Sequence, residues 1–128
     1  NNRSAQFRLP QNRYCIENRA ADMTMNVYLA FAMTLSAAVE GIKGKIHPGK
    51  PTDQDLYEMS ENEFKKLGIK RLPRNLLMAI EALKKDKLSD DVLGPVMKKS
   101  FLAYKNDEWE RYHQSVTDWE VKEYLRLY

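Results

Sequence analysis

The chain has a single cysteine, Cys15, in 128 residues. No internal disulfide can form, and a reducing cytoplasmic setting is the natural expectation. It has no run near the ~20 consecutive apolar residues that a membrane-spanning helix requires. Its N-terminus lacks the basic-then-apolar pattern of a secretory signal. Internal repeats and low-complexity segments are also missing, which excludes solenoids and tail-like disordered regions. The opening Met is absent too, and strand-like alternation starts within the first few residues, as if the sequence were cut from a longer protein.

The first twenty residues contain no lysine, yet hold Arg3, Arg8, Arg13 and Arg19 against Glu17 alone. Taking those four and that one from the totals of 21 basic and 18 acidic residues leaves 17 of each, so this segment carries the whole net charge of +3. Arginine presents a planar fork of donors matched to carboxylates and phosphates. Nucleic-acid arms mix Lys with Arg and add Gly or Ser, so an anion pocket fits better, and neither a nucleic-acid nor a membrane partner is expected.

Period-2 alternation predicts strands over 4–9 and 14–20, with Pro10, Gln11 and Asn12 supplying a hairpin turn. On the second strand Arg13, Cys15, Glu17 and Arg19 share one face. A solvated ladder of charges is the bland reading of such a face. The further pair Arg3 and Arg8 on the adjoining strand favours bound anions. Arg3 and Arg8 are five positions apart, so a bulge or strand end is needed if both serve one site.

Helices follow. Asn26 is a candidate N-cap for an Ala-, Leu- and Met-rich helix to about Lys43, apolar nearly all round and expected to pack on the hairpin. Ser60 with Glu63, and Thr117 with Glu120, are capping boxes, and Gly68 should stop the first of these helices. Pro73 suits the first turn of a helix from about Arg74 to Lys85. Another helix is expected over 90–105, and Asn106 could cap a further one through Trp109 and Tyr112. The loop at 44–55 is a candidate hinge. The architecture is therefore α+β: a hairpin over 1–22, then a mostly helical region over 23–128.

These residues also resemble a known family. Asn2-Arg3-Ser4-Ala5 with Phe7-Arg8-Leu9-Pro10 is similar to the N-R-S-A-x-x-R-(I/V)-P signature of class I glutamine synthetases. Ile16-Glu17-Asn18-Arg19-Ala20-Ala21-Asp22 resembles that family's (K/R)-(I/V)-E-x-R-x-(P/G)-D. Asn26-Val27-Tyr28-Leu29-Ala30-Phe31 resembles its N-P-Y-L-A-F, residues 41–49 its G-I-K-N-K-I-x-P-G, and Asp55-Leu56-Tyr57 its N-L-Y. The order and number of these matches make the resemblance specific.

The resemblance implies a remnant of the catalytic sheet at 1–22 and a C-terminal segment of the catalytic domain. It implies an ATP-dependent ligase that phosphorylates the glutamate γ-carboxylate and then lets ammonia displace phosphate. Arg3 would be catalytic and would contact glutamate, together with Arg19. Arg8, with Arg13 as substitute for a basic residue of the shortened loop, would bind nucleotide phosphates. Glu17 would ligate Mg²⁺ or Mn²⁺. A homo-oligomeric ring is implied for the full protein, with tail aromatics such as Trp119 as assembly contacts. The 128 residues alone should be inactive, with exposed apolar area.

Departures are Cys15 where a basic residue is usual, the short connection from Arg8 to Glu17, and Val27 in place of Pro. Sister ligases that use methylamine or a polyamine, and a non-catalytic paralogue, are the competing readings. Tyr57 falls where some bacterial members carry a modified tyrosine, although a plain packing or surface tyrosine is the preferred reading. His47 and His113 read as structural or exposed.

Overall fold

A computed structural model describes residues 2–127 and divides the chain into two compact units, Asn1–Arg71 and Leu72–Tyr128. The first unit begins with a two-stranded antiparallel ladder, β1 (Phe7–Arg8) and β2 (Glu17–Asn18), with Phe7 opposite Asn18 and Arg8 opposite Glu17. The strands are shorter than the alternation predicts. Pro10 has no N–H to donate and lies buried just past β1, where it ends the ladder. A backbone bond from the Arg19 N–H to the Gln6 carbonyl at 2.8 Å adds one more rung.

Helix α1 (Val27–Lys43) starts as expected, with the Asn26 side chain accepting the Leu29 N–H. It differs in its surroundings. None of its residues is buried, and among the described residues it packs on neither strand. Tyr28, Phe31, Leu35, Val39 and Ile42 form an exposed stripe at helical spacing. A two-residue ladder offers too little surface to cover seventeen helical residues.

Helix α2 (Glu61–Leu67) is framed by both sequence signals. Ser60 and Glu63 form the reciprocal capping box, and Gly68 closes the helix at φ 66°, a left-handed conformation that glycine adopts without a Cβ clash. Its buried Phe64 lies under the Arg71 guanidinium, 3.9 Å from the ring centroid, and Arg71 also pairs with Glu61 at 3.1 Å.

The second unit packs α3 (Leu76–Lys85) against α4 (Lys87–His113). Asn75 caps α3 through the Met78 N–H, which leaves Pro73 outside the helix rather than in its first turn. Helix α4 runs through Asn106, so that residue caps nothing. Its real interruption is Gly94, at φ 69° and ψ 166°, followed by Pro95. The buried Lys98, 7% exposed, donates from Nζ to Asp90 Oδ1 at 2.6 Å and to the Asp86 carbonyl at 2.9 Å. Ile80 and the fully buried Ser89 complete this small core.

Helix α5 (Asp118–Tyr124) opens with the expected Thr117–Glu120 box. Trp109 stacks on His113 with centroids 5.4 Å apart, and Trp119 meets Tyr124 edge-on at 5.9 Å. Among the described residues Trp109 and Trp119 thus sit in separate ring pairs, and Tyr112 is exposed. No helix among the described residues is long and apolar enough to cross a membrane. The architecture is α+β, an N-terminal hairpin followed by mostly helical chain.

Candidate functional site

The antiparallel register places Arg8 directly across the ladder from Glu17. Arg8 Nη1 donates to Glu17 Oε2 at 2.9 Å, and Arg13 Nη2 donates to Glu17 Oε1. Arg13 reaches the carboxylate from the connecting turn, where the Cys15 N–H bonds back to the Arg13 carbonyl. Each carboxylate oxygen thus holds its own guanidinium. Arg8 and Glu17 are 16% and 24% exposed and Arg13 is 61% exposed, so the cluster is half-sheltered on one side. The hydrogen bond from Arg8, followed by that from Arg13, holds the Glu17 carboxyl below its ordinary range.

Arg3 lies elsewhere in the same unit. It lines an open depression of about 320 Å³ with Asn2, Ser4, Asp53, Asp55 and Tyr57. Asn2 Nδ2 donates to the carbonyls of Thr52 and Gln54, both at 2.8 Å. Asn2 Oδ1 accepts the Ser4 backbone N–H at 2.8 Å and the Ser4 hydroxyl at 2.6 Å. Ser4 Oγ in turn accepts the Leu56 N–H at 2.8 Å. The segment before β1 and the loop at 52–56 are therefore one hydrogen-bonded piece, across some fifty residues of sequence.

Of the expected site residues, the structure brings Arg8, Arg13 and Glu17 into direct contact. Arg3 and Arg19 make no ion pair among the described residues, and both are exposed. Cys15 is exposed and free, and His47 accepts the Gly49 N–H on Nδ1. Sequence reasoning missed the roles of Asn2 and Ser4. The Asn-x-Ser spacing was a usable signal, because an Asn side chain readily accepts the N–H two residues on. The partner loop fifty residues away had no such signal.

Among the described residues, no three His, Cys, Asp or Glu side chains converge as a metal site. Glu17 offers one carboxylate, a hard oxygen donor of the kind that Mg²⁺ or Mn²⁺ prefers. The chain therefore fits such an ion at one corner only. The remaining ligands would have to come from nucleotide, water or residues outside this chain.

With the arginine–carboxylate hairpin and its helices described, comparison with known proteins shows the family. The chain belongs to the glutamine synthetase catalytic-domain family, whose model matches residues 1–124. It is 41% identical to the glutamate–methylamine ligase of Methyloversatilis universalis over all of this chain and 28% of that protein. It is also 41% identical to the glutamine synthetase of Methanocaldococcus jannaschii, covering 97% of this chain and 28% of the relative. A solved structure described as apo GmaS without ligand superposes with a TM-score of 0.78 at 31% identity, over 97% of this chain and 28% of that one. The chain thus spans little more than a quarter of the length of these relatives.

Proposed function

We propose that this chain is a C-terminal segment of an ATP-dependent ligase that joins glutamate to ammonia, and that 1–22 form part of one wall of its active site. The observation that carries this reading is the Arg8–Glu17–Arg13 cluster. It sets two phosphate-binding forks beside one metal-type carboxylate on a short, registered hairpin. The helical remainder, 23–128, belongs to the same catalytic-domain segment, and the full protein works as a homo-oligomer.

In the first step a γ-carboxylate oxygen of glutamate attacks the γ-phosphorus of ATP. The bond to the ADP oxygen breaks, leaving γ-glutamyl phosphate. In the second step the amine nitrogen attacks the γ-carbonyl carbon, the C–O bond to phosphate breaks, and the nitrogen sheds a proton. Both steps gather negative charge, so fixed cations supply most of what the chemistry needs.

Arg8 and Arg13 take the nucleotide phosphates. Arg3 meets the γ-carboxylate and the phosphoryl group in transfer, and Arg19 holds the amino-acid carboxylate. A divalent cation held at one corner by Glu17 would neutralise phosphate charge. Both Glu17 oxygens are engaged by arginine, so nucleotide phosphates and cation would enter as alternative partners for the three groups.

A second reading has an observation of its own. Of the two relatives at 41% identity named above, one is a glutamate–methylamine ligase and the other a glutamine synthetase, and the chain departs from the usual pattern at Cys15. The deciding experiment is phosphate release by the full-length protein with ATP, Mg²⁺, glutamate and a panel of amines. Turnover with ammonia at low concentration is expected. Turnover restricted to methylamine or a polyamine would move the protein to the sister ligases.

A further inference from the structure

The three residues Asn2, Arg3 and Ser4 are held in an unusual way for a segment outside regular structure. The Asn2 side chain closes a ring over Arg3 by accepting the Ser4 N–H and hydroxyl, at 2.8 and 2.6 Å. The same Asn2 side chain donates both its amide hydrogens to loop carbonyls, those of Thr52 and Gln54. Ser4 Oγ takes the Leu56 N–H, so its hydroxyl both donates and accepts. The Asn2 amide has thus spent its full capacity, and the Ser4 hydroxyl its one donor and an acceptor site, on fixing the backbone at either side of Arg3. The Arg3 side chain is exposed, free of any ion pair among the described residues, and lines the depression that the loop completes with Asp53, Asp55 and Tyr57.

We infer that Asn2 and Ser4 are positioning residues for Arg3, and that the 52–56 loop is the strut against which they set it. An arginine that must meet a developing phosphoryl charge is useful only if its backbone is already in place, and a displacement of about 1 Å can cost ~10²-fold in rate. Strands or helices ordinarily supply that rigidity. Arg3 lies before β1 and has neither. The side-chain clamp stands in for the missing ladder. The inference rests on the proposed contact of Arg3 with glutamate and the transferring phosphate.

The test uses the full-length protein with Asn2→Ala, Ser4→Ala, Ser4→Thr, Arg3→Ala and the double variant Arg3→Ala/Asn2→Ala, all checked for unchanged thermal midpoint and oligomer size. Asn2→Ala and Ser4→Ala should raise the glutamate KM and lower kcat by about tenfold or more, with the ATP KM unmoved. Ser4→Thr, which keeps a hydroxyl, should restore both parameters. In the Arg3→Ala background the Asn2 substitution should have little further effect, because it acts through the group already removed.

Additive losses in the double variant, or equal changes in the glutamate and ATP KM values, would overturn the inference. So would wild-type kinetics of Asn2→Ala and Ser4→Ala while Arg3→Ala is crippled, an outcome that leaves the proposed function standing. Full glutamate-dependent turnover by Arg3→Ala would instead remove the role assigned to Arg3, and this inference with it. If Asn2→Ala fails to fold, the comparison of Ser4→Ala with Ser4→Thr decides the matter alone.

Discussion

Glu17 shows how one side chain can be strongly constrained while remaining near solvent. Two guanidiniums, one on each oxygen, pull its carboxyl below the ordinary value of about 4.3. Its contribution to the hairpin is therefore complete above that ordinary value and is lost as pH falls through the depressed folded-state value. A pH titration of the Glu17 carboxyl carbon by NMR should give a midpoint below that of a free glutamate. Arg8→Ala should move the midpoint upward by more than Arg13→Ala, since the Arg8 bond contributes most. A midpoint at or above the free value would mean that the cluster does not persist in solution. The pairing of Glu17 with arginine was half-legible in the sequence. Alternation put Arg13 and Glu17 on one strand face, but the structure joins them through a turn, and Arg8 comes from the opposite strand.

At the scale of elements, local chemistry was legible and long-range chemistry was not. Ser60 with Glu63, Thr117 with Glu120, Asn26 and Gly68 all act where their own sequence neighbourhood places them, because a cap is satisfied within four residues. The strands fell short, because a ladder needs a partner and Pro10 removes a donor that would extend it. Helix α4 was misjudged for a related reason. The stripe of apolar positions predicts an end near 105, while the helix runs to His113 and breaks at Gly94, whose φ of 69° with ψ of 166° is open to glycine almost alone. No side-chain clash guards that position, since a Cβ built there meets nothing within 4 Å. The cost of Gly94→Ala is therefore backbone strain, about 1–3 kcal/mol. Urea unfolding followed at Trp109 should report a loss of that size. An unchanged midpoint would mean that the helix accepts a straight path through residue 94.

At the scale of the whole molecule, the exposed stripe on α1 and the half-sheltered ion cluster fit one account. Tyr28, Phe31, Leu35, Val39 and Ile42 present more apolar surface than an isolated helix keeps in water without a partner. The chain spans 28% of the length of the relatives named above, and among the described residues no three His, Cys, Asp or Glu side chains converge. The family was legible in the sequence because its motifs lie within short stretches, each carrying residues with one chemical task. The amine was illegible, since the motifs quoted above carry groups suited to phosphate, carboxylate and cation, and none that selects one amine over another.

In the proposed function this hairpin serves a ligase that activates glutamate as an acyl phosphate, whichever amine follows. Hydroxylamine attacks acyl phosphates and leaves a stable hydroxamate, so it reads the first step regardless of amine preference. The measurement is hydroxamate formation by the full-length protein with ATP, Mg²⁺ and glutamate, beside Glu17→Ala and Arg19→Ala. The account expects ATP-dependent hydroxamate from the unaltered protein and a loss of at least ~10²-fold in each variant. No hydroxamate from a folded oligomer, or undiminished formation by both variants, would contradict it.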